Sequence, residues 1–463
     1  TKNNRFGIGT KVYAYNKEGL QFKELFTTRG FQASSEPMVH FGYASDQPLD
    51  SLKIIWPDKT YQVLTNVNLN QTLTISPSNT RPFDYGSLSA KKQPMFTPVN
   101  NRLGLNFTHV EDNYTDFNRE KLIPYQISDR GPALAIGDLT GDGKEDVFFG
   151  GSKYISSRIF VQQDSIFVPK RFDSLQKDSI KEIVSASIAD FDNDGKNDII
   201  TSSGGGDFYG TSEALLDAFY VQKDTVFEAV ALPEIYQNSS VVKPFDFDDD
   251  GDLDVFIGGH TLTGKFGTLA TSVLLENQGG KFKARKEFES FAKGMVTDAI
   301  WSDFDGDSIT DLILVGEWMA PKFLKYHNGT FTEVAQLDLT GLWQTIEPFD
   351  MDGDGDLDYI LGNWGTNSKF KASKEHPMRL YFNDFDENGQ TETITAMEKN
   401  GNYYALETLD GLASQLVYLK KKYTTYKSFA GQTIEEIFGE DALDASTLLE
   451  VNTLQSGYAR NDG

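Results

Sequence analysis

The sequence predicts an all-β protein in which a small β domain precedes a β-propeller. Its 463 residues include 41 Gly, 34 Phe and 20 Tyr, and this composition favours strands joined by tight turns. A unit of short strands recurs beyond residue 130, and each copy carries an acidic loop. A repeat of roughly 40 to 57 residues with four short strands is typical of propeller blades rather than of helical solenoids.

Residues 1–76 form the predicted small β domain. They contain short alternating stretches, for example 11–15, 51–56 and 72–75, separated by Gly and Pro-Asp turns. Residues 77–104 are instead rich in Ser, Pro, Asn and Lys and show little periodicity, which indicates a linker. The propeller is therefore expected to occupy residues 105–463.

The repeated unit is clearest in its first copy. A small-residue strand at 133–137 leads into the acidic loop 138–146, and an apolar strand at 147–151 follows. The loop returns after 52, 56, 57 and 47 residues, starting at Asp190, Asp246, Asp303 and Asp350. Five blades can thus be recognised. Closed propellers commonly have six to eight blades, so we expect a seven-bladed propeller that is incomplete in this fragment.

A helical insertion is predicted from about residue 406 to 438. An apolar stripe there follows alternating steps of three and four residues, through Leu409, Leu412, Leu416, Leu419, Tyr423 and Tyr426. Such a stripe either packs on the propeller or docks a partner. Strand-like sequence resumes near Ser446.

The acidic loops share the pattern D-x-D-x-D-G-x-x-D. The first has Thr140 at its third position, and the fourth has Ser308 in place of Gly. A sixth loop begins only 34 residues after the fifth, which predicts a different place in its blade. The candidate metal ligands are Asp138, Thr140, Asp142 and Asp146; Asp190, Asp192, Asp194 and Asp198; Asp246, Asp248, Asp250 and Asp254; Asp303, Asp305, Asp307 and Asp311; Asp350, Asp352, Asp354 and Asp358; and Asp384, Asp386, Asn388 and Glu392.

Calcium is the ion that this pattern predicts. Alternate positions of a tight loop turn oxygens toward one point, the Gly permits the reversal, and the distal carboxylate helps to complete the six to eight oxygens that calcium takes. The twelfth positions are not carboxylates, so the loops are not EF-hands. Asp and Gly also form ordinary turns, but the sixfold repetition favours metal binding.

The loops and their flanks, such as residues 135–138 and 256–259, resemble the FG-GAP/VCBS repeats of integrin-α-type propellers over about residues 131–463. The first domain resembles the ASPIC/UnbV domain found beside such repeats in cartilage acidic protein and in Bacteroidetes surface proteins. The residues that carry this second resemblance lie at 5–10, 29–31, 40–42 and 56–58. The resemblance implies an extracytoplasmic location and calcium-dependent structure, and it makes the first and fourth loops weaker candidates.

The net charge and the amino-acid composition exclude several classes of function. Lys and Arg total 43 against 68 Asp and Glu, a net charge of −25, so nucleic-acid binding is not expected. The absence of Cys excludes disulfides, zinc–thiolate sites and thiol nucleophiles. No apolar stretch approaches 18 residues and no signal segment opens the chain. We therefore expect an interior fragment whose anchor or signal lies outside it.

No catalytic constellation can be recognised. The five histidines form no H-E-x-x-H pair, and there is no G-x-S-x-G motif. Loop aromatics such as Trp318, Trp343 and Trp364 could stack on sugars. The prediction is a non-catalytic, extracytoplasmic, calcium-stabilised ligand-binding or protein-docking module of a larger cell-surface protein or envelope complex, with an envelope or surface protein as partner. The alternatives are a glycan-binding lectin, a polysaccharide-active enzyme and a purely architectural spacer.

Overall fold

A computed structural model describes residues 4–17, 19–28, 30–44, 47–88 and 94–462. Arg29, which carries part of the ASPIC/UnbV resemblance, and residues 89–93 of the predicted linker lie outside these ranges. Strands hold 39% of the residues and helices 11%, which confirms the all-β class. The chain forms two compact units, Thr1–Thr97 and Pro98–Gly463.

The first unit is one antiparallel sheet of five strands in the order β2-β1-β3-β4-β5. In β1, Val12 and Ala14 alternate with more exposed residues and pack with Leu52, Ile54 and Trp56, as a half-buried strand requires. The last strand pairs with β4 and lies within the predicted linker. The strands are β1 (Lys11–Asn16), β2 (Gly19–Glu24), β3 (Leu49–Ile55), β4 (Thr60–Val67) and β5 (Arg81–Pro82), followed by a 3-10 helix at Tyr85–Leu88.

The second unit begins with three antiparallel sheets of four strands each. The first contains β6 (Leu134–Gly137), β7 (Asp146–Phe149), β8 (Arg158–Gln163) and β9 (Ile166–Lys170). The second contains β10 (Glu182–Ala189), β11 (Asp198–Gly204), β12 (Ala218–Lys223) and β13 (Val226–Val230). The third contains β14 (Asn238–Phe245), β15 (Asp254–Thr261), β17 (Val273–Asn277) and β18 (Phe282–Ala284), while the short β16 (Ala270–Thr271) pairs with the sheet that follows.

The next strands form one continuous sheet because β20 pairs with both β21 and β23. Its members besides β16 are β19 (Lys293–Ser302), β20 (Asp311–Met319), β21 (Lys322–His327), β22 (Thr330–Gln336), β23 (Gly341–Phe349), β24 (Asp358–Asn363) and, from the end of the chain, β29 (Gly457–Ala459). The last sheet has the order β27-β26-β25-β28, with β25 (Met378–Asn383), β26 (Glu392–Lys399), β27 (Asn402–Ala405) and β28 (Thr447–Val451).

Five short helices occupy the region of the predicted insertion. Leu409, Leu412, Leu416 and Leu419 are buried against the last sheet in a cluster that includes Tyr381, so the apolar stripe packs on the body of the unit. Tyr426, expected in that stripe, is 68% exposed. The α-helices are α1 (Asn100–Leu103), α2 (Asp173–Lys177), α3 (Leu409–Gln415), α4 (Leu419–Lys422), α5 (Tyr426–Phe429), α6 (Ile434–Phe438) and α7 (Glu440–Asp444), and 3-10 helices lie at Asp116–Asn118, Glu213–Leu215 and Lys286–Ser290.

Successive sheets lie side by side through their first strands. Val242 N–H in β14 donates to Ser185 Oγ in β10 at 3.2 Å. The Trp301 indole in β19 donates to the Lys243 carbonyl in β14 at 3.1 Å, and Thr297 Oγ1 donates to the β23 carbonyl of Trp343 at 2.8 Å. β10, β14, β19 and β23 therefore follow one another along the interior of the unit.

Candidate metal-binding loops and central cavity

Five acidic loops each join two strands that are consecutive in the chain and pair antiparallel with each other. They connect β6 to β7, β10 to β11, β14 to β15, β19 to β20 and β23 to β24. The sixth loop joins β25 to β26, and β25 pairs on its other side with β28. The sixth loop thus lies between the two central strands of its sheet, the different place that its short spacing predicted.

The first Asp of each loop shapes the loop through the backbone. In the third loop, Asp246 Oδ1 accepts from Asp250 N–H at 3.2 Å, and Asp246 Oδ2 accepts from Gly251 N–H at 3.0 Å. Gly251 has a φ of 92°, a conformation that costs glycine little. In the fourth loop Ser308 takes the glycine position with a φ of 69°, and its N–H donates to Asp303 Oδ2 at 2.8 Å. The fourth loop therefore keeps the same turn despite its departure from the motif.

Among the described residues, at least four loops bring three carboxylates together with ligand oxygens within 4.8 Å of one another. These groups are Asp190, Asp192 and Asp194; Asp246, Asp248 and Asp250; Asp303, Asp305 and Asp311; and Asp350, Asp352 and Asp358. In the third loop Asp248 Oδ1 is buried and has no hydrogen-bond partner, which is costly unless a cation compensates. An all-oxygen donor set of this kind fits calcium.

The first and sixth loops depart from this arrangement in their ligand chemistry. Thr140 Oγ1 lies 3.4 Å from Asp138 Oδ1, to which it donates, so a neutral hydroxyl stands where the other loops have a carboxylate. In the sixth loop Asp384 accepts from the N–H groups of Asn388 and Gly389. Asp386 Oδ1 is buried there without a partner.

The distal acid of each loop has a second role that the sequence analysis missed. Asp254 is 0% exposed; its Oδ2 accepts from Phe247 N–H within the loop at 3.2 Å, and its Oδ1 accepts from Asn277 N–H in β17 at 2.8 Å. The same pair of bonds recurs at Asp146 and Asp198, which accept from N–H groups of their own loop and of β8 and β12. Asp311 accepts from Tyr326 N–H in β21, Asp358 from Met351 N–H and Asn461 N–H, and Glu392 from Phe385 N–H and the Gln415 side chain. The sequence did contain a sign of this burial, because apolar residues follow each distal Asp directly. The equivalent residues are Asp146, Asp198, Asp311, Asp358 and Glu392.

Lysine side chains form ion pairs with the carboxylates of some loops. Lys223 Nζ lies 2.9 Å from Asp192 Oδ2 and 3.7 Å from Asp194 Oδ2. Lys325 likewise contacts Asp305 and Asp307 in the fourth loop. Among the described residues, no ammonium or guanidinium lies within 4.0 Å of the carboxylates of the third loop. The same is true of the fifth loop, so the carboxylate clusters of the third and fifth loops have no compensating cation within 4.0 Å in the described part of the chain.

We expect the stability of the calcium-free protein to fall as pH rises from about 5 to 8. Burial raises the pKa of Asp254 to about 7 and the pKa values of Asp198 and Asp311 to about 6. Because these folded-state pKa values exceed those of the unfolded chain, the folded state binds more protons and loses stability as these acids ionise. Melting temperatures in EGTA across this range would measure the effect, and a rise toward pH 8 would contradict it.

A cavity of about 540 Å³ lies beside the first strands of four sheets. The antiparallel register of β10, β14, β19 and β23 is interrupted at Val184, Ser240, Thr297 and Gln344, and these four residues line the cavity. Such bulges re-aim side chains. The rest of the lining comes from Gln126, Ser128, Asp129, Arg130 and Trp364.

A buried carboxylate next to this cavity joins four segments of the unit. Glu317 Oε1 accepts from Arg130 at 2.7 Å and from Gln344 at 2.8 Å, while its Oε2 accepts from Tyr125 at 2.8 Å and contacts His260 Nε2 at 2.9 Å. Burial alone would raise the pKa of Glu317, but the charge of Arg130 and the hydrogen bonds from His260 and Gln344 hold that pKa well below its usual range. Glu317 is therefore an ionised, fully hydrogen-bonded anchor.

The structure corrects two of the aromatic candidates for sugar stacking. Trp318 is 3% exposed and Trp343 is 2% exposed, so their rings pack inside the unit. The Trp318 indole donates to Tyr125 Oη at 2.9 Å. Trp364 does line the cavity, and its ring centroid lies 4.7 Å from that of Tyr125.

Comparison with known families matches both parts of the chain. Residues 1–82 match the family described as ASPIC and UnbV, and residues 303–361 match the FG-GAP-like repeat. The chain therefore carries an ASPIC/UnbV domain and an FG-GAP-like repeat, which confirms the resemblance found in the sequence. The matched repeat contains the fourth and fifth acidic loops. No curated protein matches the chain significantly.

Such domains are typical of extracellular protein-interaction modules. Within the described part of the chain, the structure contains no helix with the length and apolar character that crossing a membrane would need.

Proposed function

We propose that the chain is a calcium-stabilised β-propeller with an ASPIC/UnbV domain that acts outside the cytoplasm as a non-catalytic ligand-binding or protein-docking module. It would belong to a larger cell-surface protein or envelope complex. The observation that carries this proposal is the repeated loop, in which several carboxylates converge on one point between two paired antiparallel strands.

Calcium would be structural in this module. Converging carboxylates repel one another by about 1 kcal/mol per pair in water and by more when partly buried. A bound divalent ion removes that repulsion, and at a concentration 100 times the dissociation constant it stabilises the fold by about 2.7 kcal/mol per site. Because the distal acids of the first four loops also accept a hydrogen bond from a neighbouring strand, calcium would stiffen the sheets themselves.

The propeller architecture is supported by the order of the sheets. The sheets follow one another with their first strands adjacent, and strands from four of these successive positions face one cavity. The FG-GAP-like match at residues 303–361 covers the fourth loop, strands β20 to β23, the fifth loop and most of β24. Seven blades remain the number that we expect in the complete propeller.

The rigidity of these loops suits the binding of a partner. Loops held by a metal and by main-chain hydrogen bonds lose little conformational freedom when a partner binds. The partner that we expect is an envelope or surface protein. The negative charge of the chain makes nucleic acid an unsuitable ligand.

The central cavity supports a second candidate, binding of a glycan. Its volume falls in the range of small-ligand sites, and Trp364 lies in it beside Gln126, Gln344 and several hydroxyls. An aromatic face with amides and hydroxyls suits a sugar. A polysaccharide-active enzyme would require acids free to exchange protons in this cavity, and Asp129 is the carboxylate that lines it.

The two candidates separate in an affinity capture of the tagged, full-length protein from native membranes, in calcium and in EGTA. Mass spectrometry of both protein and glycan would follow the capture. We expect a defined envelope or surface protein that is recovered in calcium and lost in EGTA. Recovery of glycan alone would favour the second candidate, and Trp364→Ala should then abolish it. Recovery of the same proteins in both conditions would contradict a calcium-dependent docking role.

A further inference from the structure

A cluster of metal-ligating side chains lies outside the acidic loops. His109, Glu111 and Glu182 each place one ligand atom within 4.8 Å of the others. His109 and Glu111 belong to the segment that precedes the first sheet of the second unit, whereas Glu182 opens β10. Residues far apart in the sequence are thus brought together at a point that none of the repeated loops reaches.

One oxygen of this cluster has no partner in the protein. Glu182 is 7% exposed, and its Oε1 is buried without a hydrogen bond. Its Oε2 accepts a hydrogen bond of 3.3 Å from Lys153 N–H. A buried carboxylate oxygen without a donor is costly, so the position requires compensation.

The unpaired oxygen and the imidazole face the same small space. A β-carbon built on Gly131 would lie 3.2 Å from Glu182 Oε1 and 3.5 Å from His109 Nε2. Glycine at position 131 leaves that space open. His109 Nε2 also contacts Glu111 Oε1 directly, so all three ligand atoms converge there.

The neighbouring cation does not neutralise this cluster. The Lys153 ammonium pairs with Asp112 at 3.1 Å and also with Asp207. Among the described residues, no basic side chain lies within 4.0 Å of the Glu182 carboxylate. Two carboxylates and one imidazole therefore share a pocket with no fixed positive charge.

We propose that His109, Glu111 and Glu182 form a binding site for a divalent transition-metal ion of the zinc class. One imidazole nitrogen and two carboxylate oxygens are a donor set that suits zinc, whereas calcium prefers oxygen alone. Three protein ligands leave a fourth position for water or for an oxygen of a bound ligand. This site is independent of the calcium proposal because it shares no residue with the acidic loops.

The test is zinc binding to the full chain after metal has been stripped and calcium restored to saturation. Titration calorimetry should show one zinc ion bound with micromolar or tighter affinity, and substituted cobalt should give the visible absorption of a low-coordinate site. His109→Ala and Glu182→Gln should each weaken zinc binding at least 10-fold. The matched control is His376→Ala, because His376 pairs with a single carboxylate, Glu398, at the surface and should leave zinc affinity unchanged.

The result that would overturn the proposal is zinc binding by the native protein that is absent or no tighter than that of His109→Ala. Equal losses in His376→Ala would also overturn it, since they would indicate weak surface binding. The calcium-saturated melting temperature shows whether each variant is folded. If Glu182→Gln does not fold, His109→Ala decides the question, because it removes the imidazole ligand and leaves the Glu182 carboxylate and its bond from Lys153 N–H in place.

Discussion

Glu317→Ala is expected to destabilise the second unit by about 3 to 5 kcal/mol, the usual cost of removing one partner from a buried ion pair. The substitution leaves the Arg130 guanidinium without its carboxylate, and it removes the acceptor of Gln344 and Tyr125. The melting temperature should fall by roughly 5 to 15 °C. The loss should be similar in calcium and in EGTA, because no acidic loop contributes to this network.

The matched control is Glu347→Ala. Glu347 lies in β23 like Gln344, but it is exposed, so its removal should change stability by less than about 0.5 kcal/mol. Glu317→Gln keeps the shape of the side chain and one acceptor oxygen. Its loss of stability should therefore lie between those of Glu317→Ala and Glu347→Ala. If Glu317→Ala and Glu347→Ala have the same melting temperature, the buried network does not anchor the unit.

Asp254→Ala and Asp250→Asn are expected to respond differently to calcium. Asp254→Ala removes the acceptor of two buried N–H groups, those of Phe247 and Asn277, at about 1 to 3 kcal/mol each. It should therefore destabilise the protein even in EGTA. Asp250→Asn retains an oxygen for Asp252 N–H but replaces a charged metal ligand by a neutral amide, so it should weaken calcium binding at this loop, destabilise the protein in calcium and have little effect in EGTA.

Asp249→Asn is the control within the same loop. Asp249 is exposed and has a φ of 57°, which Asn tolerates well, and it lies outside the ligand pattern. The variant removes the same charge as Asp250→Asn and should melt with the native protein in both conditions. If Asp249→Asn and Asp250→Asn lose the same stability in calcium, a general charge effect explains the result and ligation does not.

The fold class was readable from the sequence because the repeated loops and their flanking strands are local patterns. The pairing of β20 with both β21 and β23, by contrast, depends on contacts between separate segments and cannot be predicted from a local sequence pattern. The insertion was predicted from its apolar stripe, yet it forms five short helices. Residues such as Gly431 and Gly439, with φ values near 85°, interrupt any longer helix.

The convergence of carboxylates within loops could also be predicted, because the alternating Asp positions are a local pattern, and the ligand role of these residues stays a prediction. The burial of Asp254 and the presence of lysines beside the second and fourth loops could not be predicted from the loops themselves. The contacting residues belong to strands elsewhere in the sheet. Glu317 lay in a segment singled out for its aromatic residues. Its role depends on Tyr125 and Arg130, nearly 200 residues earlier in the chain.

Calcium titration of the metal-stripped full chain tests the central claim most directly. Four loops bring three carboxylates together, so calorimetry should show at least four calcium ions bound, with dissociation constants of roughly 10 μM to 1 mM. Asp250→Asn, which replaces one charged ligand by a neutral amide, should weaken binding at one of them at least 10-fold. Absence of calcium binding up to millimolar concentrations, or unchanged affinity at every site in Asp250→Asn, would contradict the account.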